Sequence, residues 1–193
     1  MVLFDFDGTI SDPIVGTTNS INYALEAFGF DTLTSSKVAE FIGPPIDQTF
    51  KSITGITADA QIQDLVRKYL ERISEIGYSE VTLYLGIPDA LKFFSDANVR
   101  MAVCTSKRAD FAEKILAMIG LQNYFDFING GDFGVQKWQQ ISDLKKGGEV
   151  SNATVMVGDL GSFGYRTAWN PEIGSEGVFG DRQFPSCNFG FYQ

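Results

Sequence analysis

Apolar runs and apolar residues at helical spacing divide the chain into three stretches. Residues 2–6 (VLFDF) form an apolar run of β-forming residues, and Asp7-Gly8 supplies a turn directly after it. This pattern predicts a buried strand that ends at two aspartates, Asp5 and Asp7.

Residues 14–83 show helical periodicity only. Apolar residues spaced by three and four predict three helices, over residues 16–28, up to residue 42, and over residues 58–76. Gly29, Gly43-Pro44-Pro45 and Gly77 follow these helices and end them. We therefore predict an all-helical segment that is inserted between the first strand and the rest of the chain.

Strands alternate with helices from residue 84 onward. The pattern predicts helices over residues 88–98, 111–119 and 137–146, and strands over residues 99–104, 125–128 and 153–157. Such alternation is typical of an α/β fold with right-handed crossovers. We expect a doubly wound (Rossmann-like) parallel sheet core formed by residues 1–13 and 84–193, with residues 14–83 as a helical cap.

From residue 160 onward, apolar residues recur neither at the spacing of a helix, about 3.6 residues, nor at that of a strand, two residues. Val178-Phe179 is the best candidate there for one further short strand, and we expect irregular chain or an exposed sheet edge beyond it. Phe184, Phe189 and Phe191 near such an edge would favour weak self-association.

Composition excludes several classes of function. The 193 residues carry a formal net charge of −9, which argues against binding nucleic acid or an anionic membrane through a basic surface. The absence of histidine excludes Ser-His-Asp and Cys-His catalysis and histidine-bound zinc. Cys104 and Cys187 lie far apart, and no stretch reaches the 18 apolar residues of a membrane span. We therefore expect a cytoplasmic protein whose chemistry relies on carboxylates, hydroxyls and lysines.

Polar residues follow three of the predicted strands. Asp5 and Asp7 come first, and one could attack an electrophile while the other protonates a leaving oxygen, unless they form an ordinary acidic turn. Thr105-Ser106 could hold a phosphate oxygen or merely cap a helix. Asp159 could join Asp5 in binding magnesium, which prefers carboxylates, waters and a substrate phosphate.

Lys137 stands just before the last of these predicted strands, at the start of a predicted helix. It could neutralise phosphate charge, or it could be an exposed helical lysine like Lys145 and Lys146. This set of residues, which combines two aspartates, a hydroxyl, a lysine and a further acid, suits phosphoryl transfer. In that reaction cations neutralise the charge of the phosphate while an aspartate attacks phosphorus.

The order of these motifs resembles that of the haloacid dehalogenase superfamily, in its phosphoglycolate-phosphatase-like branch with a helical cap. Residues 5–9 (DFDGT) match the first motif, Thr105 the second, and Lys137, which lies 22 residues before Asp159, the third. The resemblance covers residues 1–159. It implies a magnesium-dependent phosphatase acting on a small phosphorylated metabolite, whose identity the cap and the loop around Gly43-Pro44-Pro45 would set.

The resemblance also implies a role for each motif residue. Asp5 would be the nucleophile and Asp7 the acid and base, while Lys137 would hold the phosphoryl group. Gly8, Thr9, Thr105 and Ser106 would bind the substrate. Magnesium would be bound by Asp5, the backbone carbonyl of Asp7, and Asp159.

The fourth family motif, GDxxxD, is incomplete, because Phe163 stands where its second acid belongs. The alternative to an active phosphatase is therefore a catalytically impaired relative, either a binding module or a relic. A shifted reading frame or a decayed C-terminus would explain the loss of this acid.

Other activities of the superfamily fit the sequence less well. A dehalogenase would not need Asp7, and a phosphonatase needs a cap lysine that is not evident between Phe41 and Lys51. A phosphoacceptor receiver domain would carry no helical cap.

Overall fold

A computed structural model describes residues 1–158, so the expectations for Asp159, Phe163, Val178-Phe179 and the phenylalanines near the end of the chain lie outside the described residues. In chain order the elements are β1 (Val2–Phe4), β2 (Ser11–Asp12), α1 (Ile14–Ala27), α2 (Ser35–Ala39), α3 (Ile46–Thr54), α4 (Asp59–Glu75), β3 (Thr82–Leu83), α5 (Ile87–Asp96), β4 (Met101–Cys104), α6 (Ala109–Met118), β5 (Ile128–Asn129), α7 (Lys137–Lys146) and β6 (Val155–Val157).

Four of the strands form a parallel sheet in the order β5-β4-β1-β6. Apolar side chains cover both of its faces, as a parallel sheet requires. Phe4 and Val103 belong to a cluster with α5 and α6 on one face, whereas Leu3 and Ala102 pack with α7 on the other. The strands β1 and β4 at the centre therefore point their carboxyl ends toward the same edge, as a doubly wound α/β fold predicts.

The segment between β2 and β3 has a second hydrophobic cluster of its own. Helices α1, α3 and α4 supply most of that cluster, including Leu25, Phe50 and Leu65, and Phe111 of α6 is buried in it as well. Gly16 of α1 packs so closely on Gly77 that a Cβ at residue 16 would overlap the carbonyl oxygen of residue 77. Phe111 of α6 joins the helical segment to the sheet domain, and Tyr78, in the turn after α4, packs against the sheet's own cluster.

Three features differ from the sequence prediction or were absent from it. Helix α3 follows Pro45, and its apolar residues Ile46, Phe50 and Ile53 have helical spacing that is easily overlooked in nine residues. The antiparallel pair β2–β3 has only two residues in each strand, too few for a period. Strand β5 begins at Ile128 rather than at residue 125, and a short 3₁₀ turn occupies Gln122–Tyr124 before it.

None of the helices within residues 1–158 has the length and apolar character needed to cross a membrane.

Candidate active site

The turn after β1 fixes the two aspartates at the carboxyl edge of the sheet. The Asp5 N–H continues the sheet by donating to the Val157 carbonyl at 2.8 Å, and Asp5 Oδ1 accepts the Phe6 N–H at 2.7 Å. The Phe6 carbonyl then accepts from three backbone N–H groups, those of residues 9, 10 and 11. Gly8 makes this tight turn possible with φ of 79°, a conformation that side chains disfavour.

Lys137 and Asp5 form a buried ion pair. Lys137 Nζ lies 2.5 Å from Asp5 Oδ2, and the two side chains are 5% and 3% exposed. A capping box of Gln136 and Gln139 starts α7 at this lysine, with the Gln136 N–H donating to Gln139 Oε1 at 2.7 Å. Because a cation at a helix N-terminus opposes the helix dipole, helix stability alone does not favour a lysine here. The ion pair with Asp5 explains why Lys137 stands at the start of α7.

Asp7 has a different cation as its partner. Lys107 Nζ lies 3.0 Å from Asp7 Oδ2, while Asp7 Oδ1 is buried without a hydrogen-bond partner in residues 1–158. Burial raises the pKa of the Asp7 carboxyl above its ordinary value, although Lys107 opposes that rise. Burial alone would lower the pKa of Lys107, but the nearby Asp7 carboxylate and Tyr69 raise it above its ordinary value. A carboxyl with a raised pKa is suited to donating a proton.

Thr105 directly follows β4, the neighbour of β1 in the sheet, and lines the same cleft as the two acids. Its N–H donates to the Asn129 carbonyl at 3.0 Å, and its Oγ1 accepts the Lys107 N–H at 3.1 Å, which turns the chain before α6. Gln140 of α7 donates its Nε2 hydrogen to the Thr105 carbonyl at 3.1 Å. Helix α7 therefore supports both Lys137 and the Thr105 loop. Burial of the preceding Cys104 raises the pKa of its thiol to about 11, so this cysteine stays a neutral core residue.

A cleft of about 600 Å³ separates the sheet edge from the helical segment. Asp5, Asp7, Thr105 and Ser106 line its sheet side. The helical segment contributes the loop Gly43-Pro44-Pro45 and residues of α3 and α4 to the other side. Its size falls in the range of cavities that enclose a small ligand.

Of the predicted site residues that the structure describes, Asp5, Asp7, Thr105 and Ser106 line the cleft together. Lys137 does not line it but pairs with Asp5, and its burial excludes an exposed helical lysine, whereas Lys146 is exposed and paired with Asp143. Gly8 and Thr9 form the turn behind the acids and do not line the described cleft.

Sequence reasoning did not assign roles to Lys107, Asp47 or Tyr69. Lys107 directly follows Thr105-Ser106, so its position beside the second motif could have indicated a role at the site. Tyr69 lies on the buried face of α4; burial raises the pKa of its hydroxyl, which is close enough to Lys107 and Asp7 to interact with both charges. Asp47 lies in α3, the helix that the sequence analysis did not predict.

Two glycines hold the loop after β5 against the loop after β4. A Cβ at Gly130 would overlap the backbone N of Ala109, and one at Gly131 would overlap the carbonyl oxygen of Ser106. The Gly131 N–H also donates to the Lys107 carbonyl at 2.8 Å. The close approach fixes the chain that carries Thr105 and Lys107.

Gly131→Ala is therefore expected to lower the free energy of unfolding by about 1–3 kcal/mol and to reduce activity, because the Ser106 backbone must move. Gly147→Ala is the matched control, since the nearest atom to its Cβ is the Asp143 carbonyl oxygen at 3.3 Å and its φ is −70°. Urea unfolding of both variants measures the difference. Equal stabilities would show that the two loops are not closely packed.

The donor atoms at the sheet edge fit a magnesium ion. Asp5 and Asp7 offer oxygen ligands only, which magnesium prefers, and the buried Asp7 Oδ1 has no partner in the described part of the chain. Residues 1–158 contain no group of three acidic or cysteine side chains placed to bind a metal. A complete site therefore requires a ligand from elsewhere, and Asp159, which directly follows the last described residue, is the expected one.

Comparison with known proteins agrees with this geometry. The family described as haloacid dehalogenase-like hydrolase matches residues 2–174. A 5'-nucleotidase of Pseudomonas aeruginosa is 34% identical over 131 residues, which cover 68% of this chain and 59% of that protein. A phosphoglycolate phosphatase of Agrobacterium fabrum is 28% identical over 167 residues, 82% of this chain and 72% of that protein.

Solved structures give the same result. A predicted phosphatase from Clostridium acetobutylicum superposes with a TM-score of 0.76 at 29% identity, covering 82% of this chain and 74% of that one. Mycobacterium tuberculosis protein tyrosine kinase A superposes with a TM-score of 0.71 at 28% identity, covering 82% and 74%. The chain spans less than two thirds of the length of some curated relatives, 59% for the 5'-nucleotidase. It belongs to the haloacid dehalogenase-like hydrolase family.

Proposed function

We propose that this protein is a magnesium-dependent phosphatase that hydrolyses a small phosphate monoester through an aspartyl-phosphate intermediate. The observation that carries the proposal is the pair of ion pairs at one cleft, Lys137 with Asp5 and Lys107 with Asp7. The two carboxyls have different surroundings, and such differences separate the roles of nucleophile and acid. The phosphatase names of several relatives support the same reaction.

In the first step an Asp5 carboxylate oxygen forms a bond to phosphorus while the bond from phosphorus to the leaving oxygen breaks. Asp7 gives its proton to that leaving oxygen, which departs as an alcohol. The Thr105 loop holds the oxygens of the transferring phosphoryl group, and Lys137, which is paired with Asp5, neutralises negative charge beside it. Magnesium, bound by Asp5, the Asp7 carbonyl and Asp159, would neutralise phosphate charge.

In the second step Asp7, now a carboxylate, takes a proton from water as the water oxygen attacks phosphorus. The bond from phosphorus to Asp5 breaks, which releases inorganic phosphate and restores both aspartates. In this mechanism Asp7 is the acid in the first step and the base in the second.

The direct test is hydrolysis of p-nitrophenyl phosphate, followed as nitrophenolate release with magnesium and with excess chelator. We expect turnover with magnesium and its loss with chelator. Release no faster than in buffer, under either condition, would contradict the proposal and favour the catalytically impaired alternative that the Phe163 departure suggests.

Asp7→Asn should slow steady-state turnover by about 10²–10⁴-fold, because it removes the acid and the base. Nitrophenolate leaves readily without protonation, so this variant should still release up to one equivalent rapidly and then stall as the aspartyl-phosphate. Stopped-flow absorbance measures the burst. A slow first turnover with no burst would mean that Asp7 acts mainly in positioning the substrate or metal.

A further inference from the structure

The helical side of the cleft contains one charged side chain, and it is negative. Of the residues between 14 and 83, all of which the structure describes, only Asp47 brings a charge to the cleft wall. The apolar residues beside it come from three helices: Ile21, Ile46, Val66, Leu70 and Ile73. The part of a substrate that extends away from the phosphate would therefore meet mostly apolar side chains, the hydroxyls of Thr17, Thr49 and Tyr69, and one carboxylate.

Asp47 is almost fully buried at the cleft wall. The residue is 3% exposed and lies in α3. Lys51, one turn later in α3, is near enough to interact electrostatically, but its Nζ bonds to Asp59 at 2.8 Å. Asp47 also lies in the first turn of α3, where an acid is favoured by the helix dipole. An exposed acid would provide that stabilisation at lower desolvation cost, so the dipole does not explain the burial.

The cations of the described cleft already have anionic partners. Lys107 pairs with Asp7, and the Arg108 guanidinium makes two hydrogen bonds to Asp110, at 3.1 and 2.8 Å. A substrate with a second anionic group, such as the carboxylate of phosphoglycolate, would find no unpaired cation among these residues and would approach Asp47. Like charges in a desolvated site repel strongly.

We propose that Asp47 selects the leaving group: the preferred substrate is a phosphate monoester of an alcohol that carries a hydrogen-bond donor, a hydroxyl or an amine, and no second anionic group. The donor would satisfy the buried carboxylate, and the apolar wall would cover the carbon skeleton. This inference rests on the proposed phosphatase function and predicts poor use of phosphoglycolate, although relatives carry that name.

Three two-carbon esters of nearly equal size test the proposal: phosphoglycolate, 2-hydroxyethyl phosphate and phosphoethanolamine. We expect kcat/KM for phosphoglycolate to be at least about tenfold below that of the better of the other two. In Asp47→Asn this ratio should shift by about tenfold toward phosphoglycolate. Asp64→Asn, an exposed acid of α4 that does not line the cleft, is the matched control and should leave the ratio unchanged.

Calorimetric titration of the three esters into Asp5→Asn gives the order of affinity without turnover. The same order, with phosphoglycolate weakest, supports the inference even if no ester is hydrolysed, in which case only the proposed reaction fails. Hydrolysis of p-nitrophenyl phosphate together with a preference for phosphoglycolate, or an unchanged ratio in Asp47→Asn, would overturn the inference and leave the phosphatase function intact.

Discussion

Asp5→Asn is expected to reduce phosphate release to the level of the reaction without enzyme, a loss on the order of 10⁴–10⁶-fold. An amide cannot form the bond to phosphorus that a carboxylate forms, so no aspartyl-phosphate accumulates. The measurement is p-nitrophenyl phosphate hydrolysis at saturating magnesium, with rapid acid quench and mass spectrometry to detect the phosphorylated chain. In the unchanged protein we expect an added phosphoryl mass on the peptide that contains Asp5.

Asp96→Asn is the control for this substitution. Asp96 is 65% exposed, forms a surface pair with Lys92, and does not line the cleft. We expect it to retain normal activity. Normal activity in Asp5→Asn, or a phosphoryl group trapped on a different residue, would show that Asp5 is not the nucleophile.

The sequence carries enough information to predict the sheet domain, because its strands are short apolar runs and the two central strands, β1 and β4, are followed directly by Asp5 and Thr105. The carboxyl ends of parallel strands lie at one edge, so Asp5 and Thr105 had to lie near one another. The family resemblance, in which 22 residues separate the lysine from the last motif, favoured Lys137 over Lys145 and Lys146, and in the structure Lys137 is buried against Asp5. Topology and spacing are properties of the linear chain, which is why this part is predictable.

The pairing of Lys107 with Asp7 and the burial of Asp47 depend on contacts between distant segments. Lys107 follows β4, while its partner follows β1, and no period relates the two. Asp47 is in a nine-residue helix whose position over the cleft depends on packing against α4. Propensity cannot place such residues, since a single acid in a helix is equally compatible with an exposed face. Substrate selection is therefore the aspect of the site least accessible from sequence alone.

The ion pair between Lys137 and Asp5 is expected to couple the two residues in stability as well as in catalysis. Asp5→Asn removes the carboxylate of the buried ion pair, and Lys137→Met removes its ammonium. Each variant should lose about 3 kcal/mol of unfolding free energy, because removing one half of a buried ion pair is costly. The double variant replaces the ion pair with a neutral pair of similar size. It should be more stable than the sum of the single losses predicts, by about 1–3 kcal/mol, while remaining inactive.

Urea unfolding of the four proteins, without magnesium or phosphate, measures this coupling. Lys92 and Asp96 provide the control cycle, since both side chains are 65% exposed and their Nζ and Oδ2 lie 2.8 Å apart. An exposed pair at this helical spacing should give a coupling of about 0.5 kcal/mol or less. A large coupling at Lys137–Asp5 beside a small one at Lys92–Asp96 would mean that burial, not proximity, makes the pair strong. Equal couplings would mean that water reaches Asp5 and screens its charge as it screens the exposed pair.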